Sequence, residues 1–403
     1  MADLKAVETL SGSTITGSSD DKPAVLIIGG LGYIGRFLAL YIHRNNLASE
    51  VRLVDKVLPQ LARLPPEFAE ACSQDKFMQA DASKETSLDR MFTLASGRHF
   101  SYVFNCGGET RYSQEPSIYA LRATALTTNL ATHIAKIKPS PNFIEFGTGV
   151  VYKSPNSSTI SSGGCTETAQ LKPWLKISKA KLQAEEALEK LAREQGLKYV
   201  CLRLAHVYGE YDIGFLARGL CLARVYQELN KELKWLWSKE LRINTVHVLD
   251  VCSAAWKAAE WCSQNPPTDQ SSMADRAFNI VDNGDTKQET LASIVSTIFN
   301  IKTGFQGSFI SSFAKMNLDS VVDDVNDEIL QPWAEMMKRA GVDHGQGSPL
   351  SPFMEKELLK DSNLCLNATK AKEVLGWRIE REGLTEDRLR EIIASYERVR
   401  WWP

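Results

Sequence analysis

Residues 24–35 read Ala24-Val25-Leu26-Ile27-Ile28-Gly29-Gly30-Leu31-Gly32-Tyr33-Ile34-Gly35. The first five are apolar and mostly β-branched, which predicts a short strand buried on both faces. Glycines 29, 32 and 35 form a G-x-x-G-x-x-G turn, and the periodic apolar positions Leu38, Leu40 and Ile42 predict a helix after it. In such a strand–turn–helix the first glycine permits the tight turn. The second admits a ligand close to the backbone, and the third lets helix and strand pack. The helix start offers free N–H groups and a positive dipole end, which suit a pyrophosphate. Gly29, Gly32, Tyr33, Ile34 and Gly35 are therefore expected to cradle the phosphates of a dinucleotide.

Working outward, apolar runs predict further strands at 51–55, 77–80, 102–105, 143–146 and 199–204, with helices over 119–137 and 178–194. Strands alternating with helices predict a parallel, doubly wound sheet. Asp55 closes the second strand, twenty residues after Gly35. A carboxylate there accepts hydrogen bonds from a ribose 2′-hydroxyl and repels a 2′-phosphate, which favours NAD over NADP; the adjacent Lys56 argues the other way. Asp81, after the third strand, is a candidate to touch adenine. Cys106 and Gly107, after the fourth, are small enough to let a cofactor lie against the backbone.

The formal net charge of −2 carries no positive stripe for nucleic acid. No apolar run is long enough to span a membrane. Residues 1–22, rich in Ser, Thr, Gly and Asp and lacking Arg, are expected to form a disordered tail without a targeting signal, so the expected location is cytoplasmic. The eight cysteines show no C-x-x-C spacing; they are expected to be buried thiols, with no metal site.

Four later segments join the glycine loop: Gly147-Thr148-Gly149-Val150-Val151-Tyr152, Leu202-Arg203-Leu204-Ala205-His206-Val207-Tyr208-Gly209, Val246-His247-Val248-Leu249-Asp250-Val251, and Ala371-Lys372-Glu373-Val374-Leu375-Gly376-Trp377. In this order they resemble the extended short-chain dehydrogenase/reductase family, the NAD-dependent epimerase/dehydratase group, over about residues 24–395. The resemblance implies an α/β fold: a doubly wound parallel Rossmann sheet with a smaller, discontinuous C-terminal substrate domain. The Rossmann domain would run over 23–209, its sheet completed by segments around 244–264, and the substrate domain over 210–403. It also implies an oxidoreductase or epimerase acting on a small molecule with NAD, and a homodimer.

The family works with a Tyr and a Lys four apart on one helix, plus a Ser or Thr that polarises the same substrate oxygen. Thr148 stands at the Ser/Thr position, and Lys181 or Lys179 at the Lys position, with Lys181 favoured because Glu185 follows it by four. The residue four before is Ile177, or Leu175 in the other register, and neither carries a proton. Tyr152, Tyr112, His206 and Glu145 are the candidate replacements, Glu145 being an odd carboxylate inside an apolar strand. The alternative is an inactive NAD-binding scaffold or redox sensor. Gly149 and Val150 stand where nucleotide-sugar 4,6-dehydratases carry Asp-Glu, which disfavours that elimination. Arg242 sits one residue off the expected place of a nucleotide-diphosphate clamp. Residues 305–361 form an insertion with one expected helix, 332–340, opened by Pro332 and closed by Gly341. Its apolar face would be Ile329, Leu330, Trp333, Met336 and Met337.

Overall fold

The computed structural model describes residues 22–342 and 347–403; most of the tail expected at 1–22 lies outside them. Eleven strands occur among the described residues. They are β1 Ala24–Ile28, β2 Glu50–Asp55, β3 Phe77–Gln79, β4 Tyr102–Asn105, β5 Asn142–Thr148, β6 Tyr199–Leu204, β7 His206–Tyr208, β8 Leu233–Trp235, β9 Thr245–His247, β10 Ala277–Ile280 and β11 Thr303–Phe305. Seven form one sheet in the order β10-β6-β5-β4-β1-β2-β3, every pairing parallel. The order reverses between β1 and β4, and a doubly wound sheet binds ligands in the crevice that opens there.

All five residues of β1 are buried. Val25 and Ile27 pack into one core layer, Ala24, Leu26 and Ile28 into the layer on the opposite face. Period-two alternation with both faces apolar is what a strand sandwiched between helices requires. On the first face lie the helices Tyr33–Arg44 and Val248–Gln264; on the other lie Leu126–Lys136 and Lys176–Gln195. Lys176–Gln195 ends at Gly196, whose φ of +70° makes the left-handed cap. The helix expected over 119–137 begins at Pro116 and carries a π-turn at Ala120–Ala125. That turn sits beside Lys176–Gln195, and the Thr124 hydroxyl donates to the Ala180 carbonyl (2.9 Å).

Two expectations need correction. The seventh strand of the sheet is β10, paired to β6, and not the segment around 244–264. That segment supplies β9, which pairs with β7 outside the main sheet, and the helix Val248–Gln264 beneath it. The helix expected to open at Pro332 instead runs Leu318–Arg339 with Pro332 in its interior, preceded by a second helix Ser308–Met316. Ile329, Trp333, Met336 and Met337 are buried, whereas Leu330 faces solvent. Burial of Val322 and Asn326 on the preceding turns shows that packing carries the helix past its proline. Gly341 takes the left-handed conformation just past the helix (φ +67°).

Candidate functional site

The glycine loop sits at the switch point. Gly29 has φ +68°, and a Cβ on it would stand 2.7 Å from the Gly107 nitrogen of the loop after β4. A Cβ on Gly35 would overlap the Gly29 carbonyl oxygen. The fold itself therefore demands both glycines. Gly32 differs: it is exposed, its backbone is extended, and a Cβ would meet only the Gly29 oxygen at 3.1 Å. The first helical bond runs from Arg36 N to Gly32 O (3.0 Å), so the N–H groups of Tyr33, Ile34 and Gly35 precede it and remain for a ligand. The Arg36 guanidinium braces the loop from behind by donating to the Leu31 carbonyl (2.8 and 3.1 Å), a contact the sequence reading had not anticipated.

Asp55 lies at the carboxyl end of β2. One of its oxygens accepts from Leu31 N (3.2 Å) and the other from Val57 N (3.1 Å). The carboxylate is thus fastened to the loop, and each oxygen keeps lone-pair capacity for a ribose hydroxyl. Asp81 is held in a local turn in which Ser83 donates through N (3.1 Å) and Oγ (2.7 Å). Burial pushes the Asp81 carboxyl up, and the Ser83 bonds outweigh it, leaving the group below its ordinary range. These features fit the adenosine and pyrophosphate of a dinucleotide.

At the carboxyl end of β5, Thr148 Oγ1 accepts from Val150 N (3.2 Å) and so caps the short 3₁₀ turn Gly149–Val151. Lys181 points to the sheet, while Lys179 is exposed. The Lys181 ammonium lies 3.2 Å from Glu145 Oε1 and donates to the Phe146 carbonyl (2.7 Å). Glu145, 1% exposed, also accepts from Asn105 Nδ2 (2.6 Å) and Thr127 Oγ1 (3.2 Å). Burial pushes its carboxyl up, and the neighbouring ammonium and donors pull it back. The odd carboxylate of β5 therefore has a partner, Lys181. Sequence reasoning had flagged both residues without joining them. Ile177 is half-buried against the small cluster Tyr119, Ala123 and Ala180. Leu175 is buried at the head of the helix.

The replacement candidates separate. The Tyr152 hydroxyl donates to Asn279 Oδ1 (2.7 Å) and accepts from Arg203 Nη1 (2.8 Å); it is buried and structurally engaged. Glu145 is committed to Lys181. Tyr112 and His206 both line a cavity enclosing about 1070 Å³ of empty space, part of it open to solvent. Burial pushes the Tyr112 phenol up to about 12 and the His206 imidazole down to about 4. His206 stacks on Phe215, with ring centroids 4.4 Å apart. Gly149 and Val150, which follow Thr148 in the chain, line the cavity, as does Leu175. Arg242 stands in its wall with Nε bound to both oxygens of Asp285 (3.1 and 2.9 Å) and Nη1 to the Glu240 carbonyl (2.7 Å).

A glycine turn at the switch point, an acid after β2 and a cavity past the carboxyl end of β5 define a doubly wound dinucleotide-binding protein. More narrowly, the chain belongs to the NAD dependent epimerase/dehydratase family, whose model matches residues 25–280, ending on the last residue of β10. NAD is that family's cofactor. No curated protein matches the chain. Among solved structures it is similar to Pal from Bacillus thuringiensis, at 16% identity and TM-score 0.64 over 94% of this chain and 98% of that one. It is also similar to UDP-glucose 4-epimerase from Thermus thermophilus in complex with NAD (16%, 0.61, 93% and 99%). A third is dTDP-glucose 4,6-dehydratase from Bacillus anthracis in complex with NAD (16%, 0.63, 94% and 98%). At these identities the likeness establishes the fold. Among the described residues no helix is long and apolar enough to cross a membrane.

Proposed function

We propose that this chain is an NAD(H)-dependent oxidoreductase or epimerase acting on a small molecule held in the cavity, with its proton handled by a group other than a tyrosine at position 177. The cavity is the observation that carries this reading. It is lined by Gly149 and Val150, which follow Thr148 in the chain, and by Tyr112 and His206, each of which can exchange a proton. A phenol pushed up to about 12 stays protonated at neutral pH and can act as an acid. An imidazole pushed down to about 4 is neutral there and can act as a base or hydrogen-bond partner. Bound NAD(H) supplies the hydride acceptor or donor. Thr148 would polarise the substrate oxygen. Lys181 has three N–H donors, two of them engaged by Glu145 and Phe146, and the third would serve the nicotinamide ribose. Tyr33, Ile34, Asp55, Asp81, Cys106 and Gly107 would complete the cofactor site around the three glycines. A homodimer and a cytoplasmic location belong to the same proposal.

The second reading, an inactive NAD-binding scaffold or redox sensor, is favoured by one observation. Ile177 is packed among apolar side chains, and a buried carboxylate neutralises Lys181. A screen of alcohols and ketones with NAD(H) separates the two. Under the first reading the parent turns over a compound, and Tyr112→Phe or His206→Gln slows it by about 10²–10⁴-fold. Under the second the parent is silent and Ile177→Tyr gains turnover. In either case Lys181→Ala should weaken NAD(H) binding and Lys179→Ala should not; the reverse result removes Lys181 from the site.

The nucleotide preference has its own test. NAD(H) should bind more tightly than NADP(H) by calorimetry, and Asp55→Ala should narrow the gap, because the carboxylate both accepts from the ribose and repels a phosphate. Equal affinities in the parent would take that role away from Asp55.

A further inference from the structure

Much of the cavity wall comes from residues 354–366, beyond the family-matched 25–280. This stretch is fastened in place. Asn326 exchanges two hydrogen bonds with the Met354 backbone (2.8 and 2.9 Å), and the Trp237 indole donates to the Leu359 carbonyl (2.6 Å). Two side chains of the stretch close down on the loop after β5: a Cβ on Gly149 would stand 2.5 Å from Leu366 and 3.1 Å from Leu364. Trp174, Trp235 and Trp237 also line the cavity.

The charged groups are poorly placed to hold a diphosphate. Arg242 already satisfies Asp285 and the Glu240 carbonyl. Lys153 and Lys360 are exposed, and the Lys360 ammonium lies 5.9 Å over the Trp174 ring. Exposed ammonium groups are hydrated and screened, whereas tight diphosphate binding rests on charge-assisted donors inside the site.

We infer that this cavity takes a mainly apolar, ring-sized small molecule rather than a nucleoside-diphosphate sugar. The inference rests on reading the cavity as the substrate end of the proposed site. Aromatic walls favour flat apolar groups through burial and ring contacts.

The test uses the full chain and prodan, a neutral naphthyl ketone whose fluorescence shifts to the blue in apolar surroundings. Prodan should bind, with UDP-glucose unable to displace it. Gly219 lies in the wall, inside the helix Phe215–Glu228, and a Cβ there would meet nothing closer than 3.9 Å. Gly219→Leu should therefore fold, fill the cavity and weaken prodan binding about tenfold or more. NAD affinity, measured separately by calorimetry, should be unchanged in this variant. UDP-glucose displacing prodan, or Gly219→Leu binding prodan as the parent does, would overturn the inference. Loss of NAD binding in the parent would strike the cofactor reading alone and leave the prodan result to decide this one.

Discussion

Gly32→Val is expected to weaken NAD(H) binding by about 100-fold or more, roughly 2.7 kcal/mol, while the protein keeps its fold. The geometry separates the two effects. Gly32 has φ −66° and ψ 174°, which any residue adopts, and it is exposed. Its Cβ would touch one protein atom, the Gly29 oxygen, and a shift of a few tenths of an ångström relieves that contact. The added methyl groups would stand before the free N–H groups of Tyr33, Ile34 and Gly35, where a pyrophosphate has to approach. Gly35→Val is the contrasting variant. Its Cβ would overlap the Gly29 carbonyl and force helix and strand apart, so both stability and binding should fall. Calorimetric titration with NAD and a thermal melt distinguish the pair. Unchanged affinity in folded Gly32→Val protein would remove the glycine loop from the cofactor site.

Arg203→Ala is expected to cost about 3–5 kcal/mol of stability, a large share of the roughly 5–15 kcal/mol that a domain has. Arg203 is fully buried on β6. Its Nε and Nη2 donate to Glu185 Oε2 (3.0 and 2.7 Å), and its Nη1 donates to the Tyr152 hydroxyl (2.8 Å) and the Glu167 carbonyl (3.2 Å). Truncation strands the Glu185 carboxylate, itself wholly buried, without a counter-charge. The penalty comes mainly from that stranding, so Arg203→Met with Glu185→Leu should recover most of the loss. Urea denaturation reads both. An Arg203→Ala midpoint close to the parent's would show that the network around β5, β6 and the helix Lys176–Gln195 does not hold this corner of the fold together. Tyr152 belongs to this network through Arg203 and Asn279, and so its family-like position after β5 serves packing.

The cofactor half of this protein was legible in its sequence because its determinants are local. A strand of apolar residues, three glycines at spacing three and an acid twenty residues on are all stated within residues 24–55. Each acts through backbone conformation or through a strand end that its own neighbours define. Neither Ile177, four residues before Lys181, nor Leu175, four before Lys179, carries a proton, and this much the sequence also states directly. Where the sequence reading failed, the deciding partner lay far along the chain. The helix around Pro332 extends to Leu318 because the core receives Val322 and Asn326. The sheet's last strand is β10 because it pairs with β6, 76 residues earlier by the register Ala277 to Cys201.

The apolar spacing along each strand and helix determined by itself that there would be a doubly wound sheet with a dinucleotide loop. Periodicity states which face a side chain occupies, and that alone buries or exposes it. It does not state what the side chain meets there. Glu145 was visible as an anomaly in an apolar strand, but only the packing of the helix Lys176–Gln195 on β5 brought Lys181 within 3.2 Å of it. The cavity was likewise beyond the sequence, since its walls join Gly149, Trp235 and Leu366 from three separate stretches of chain. A buried charge must find a counter-charge and a cavity must find its walls wherever the fold delivers them, so tertiary structure decided both.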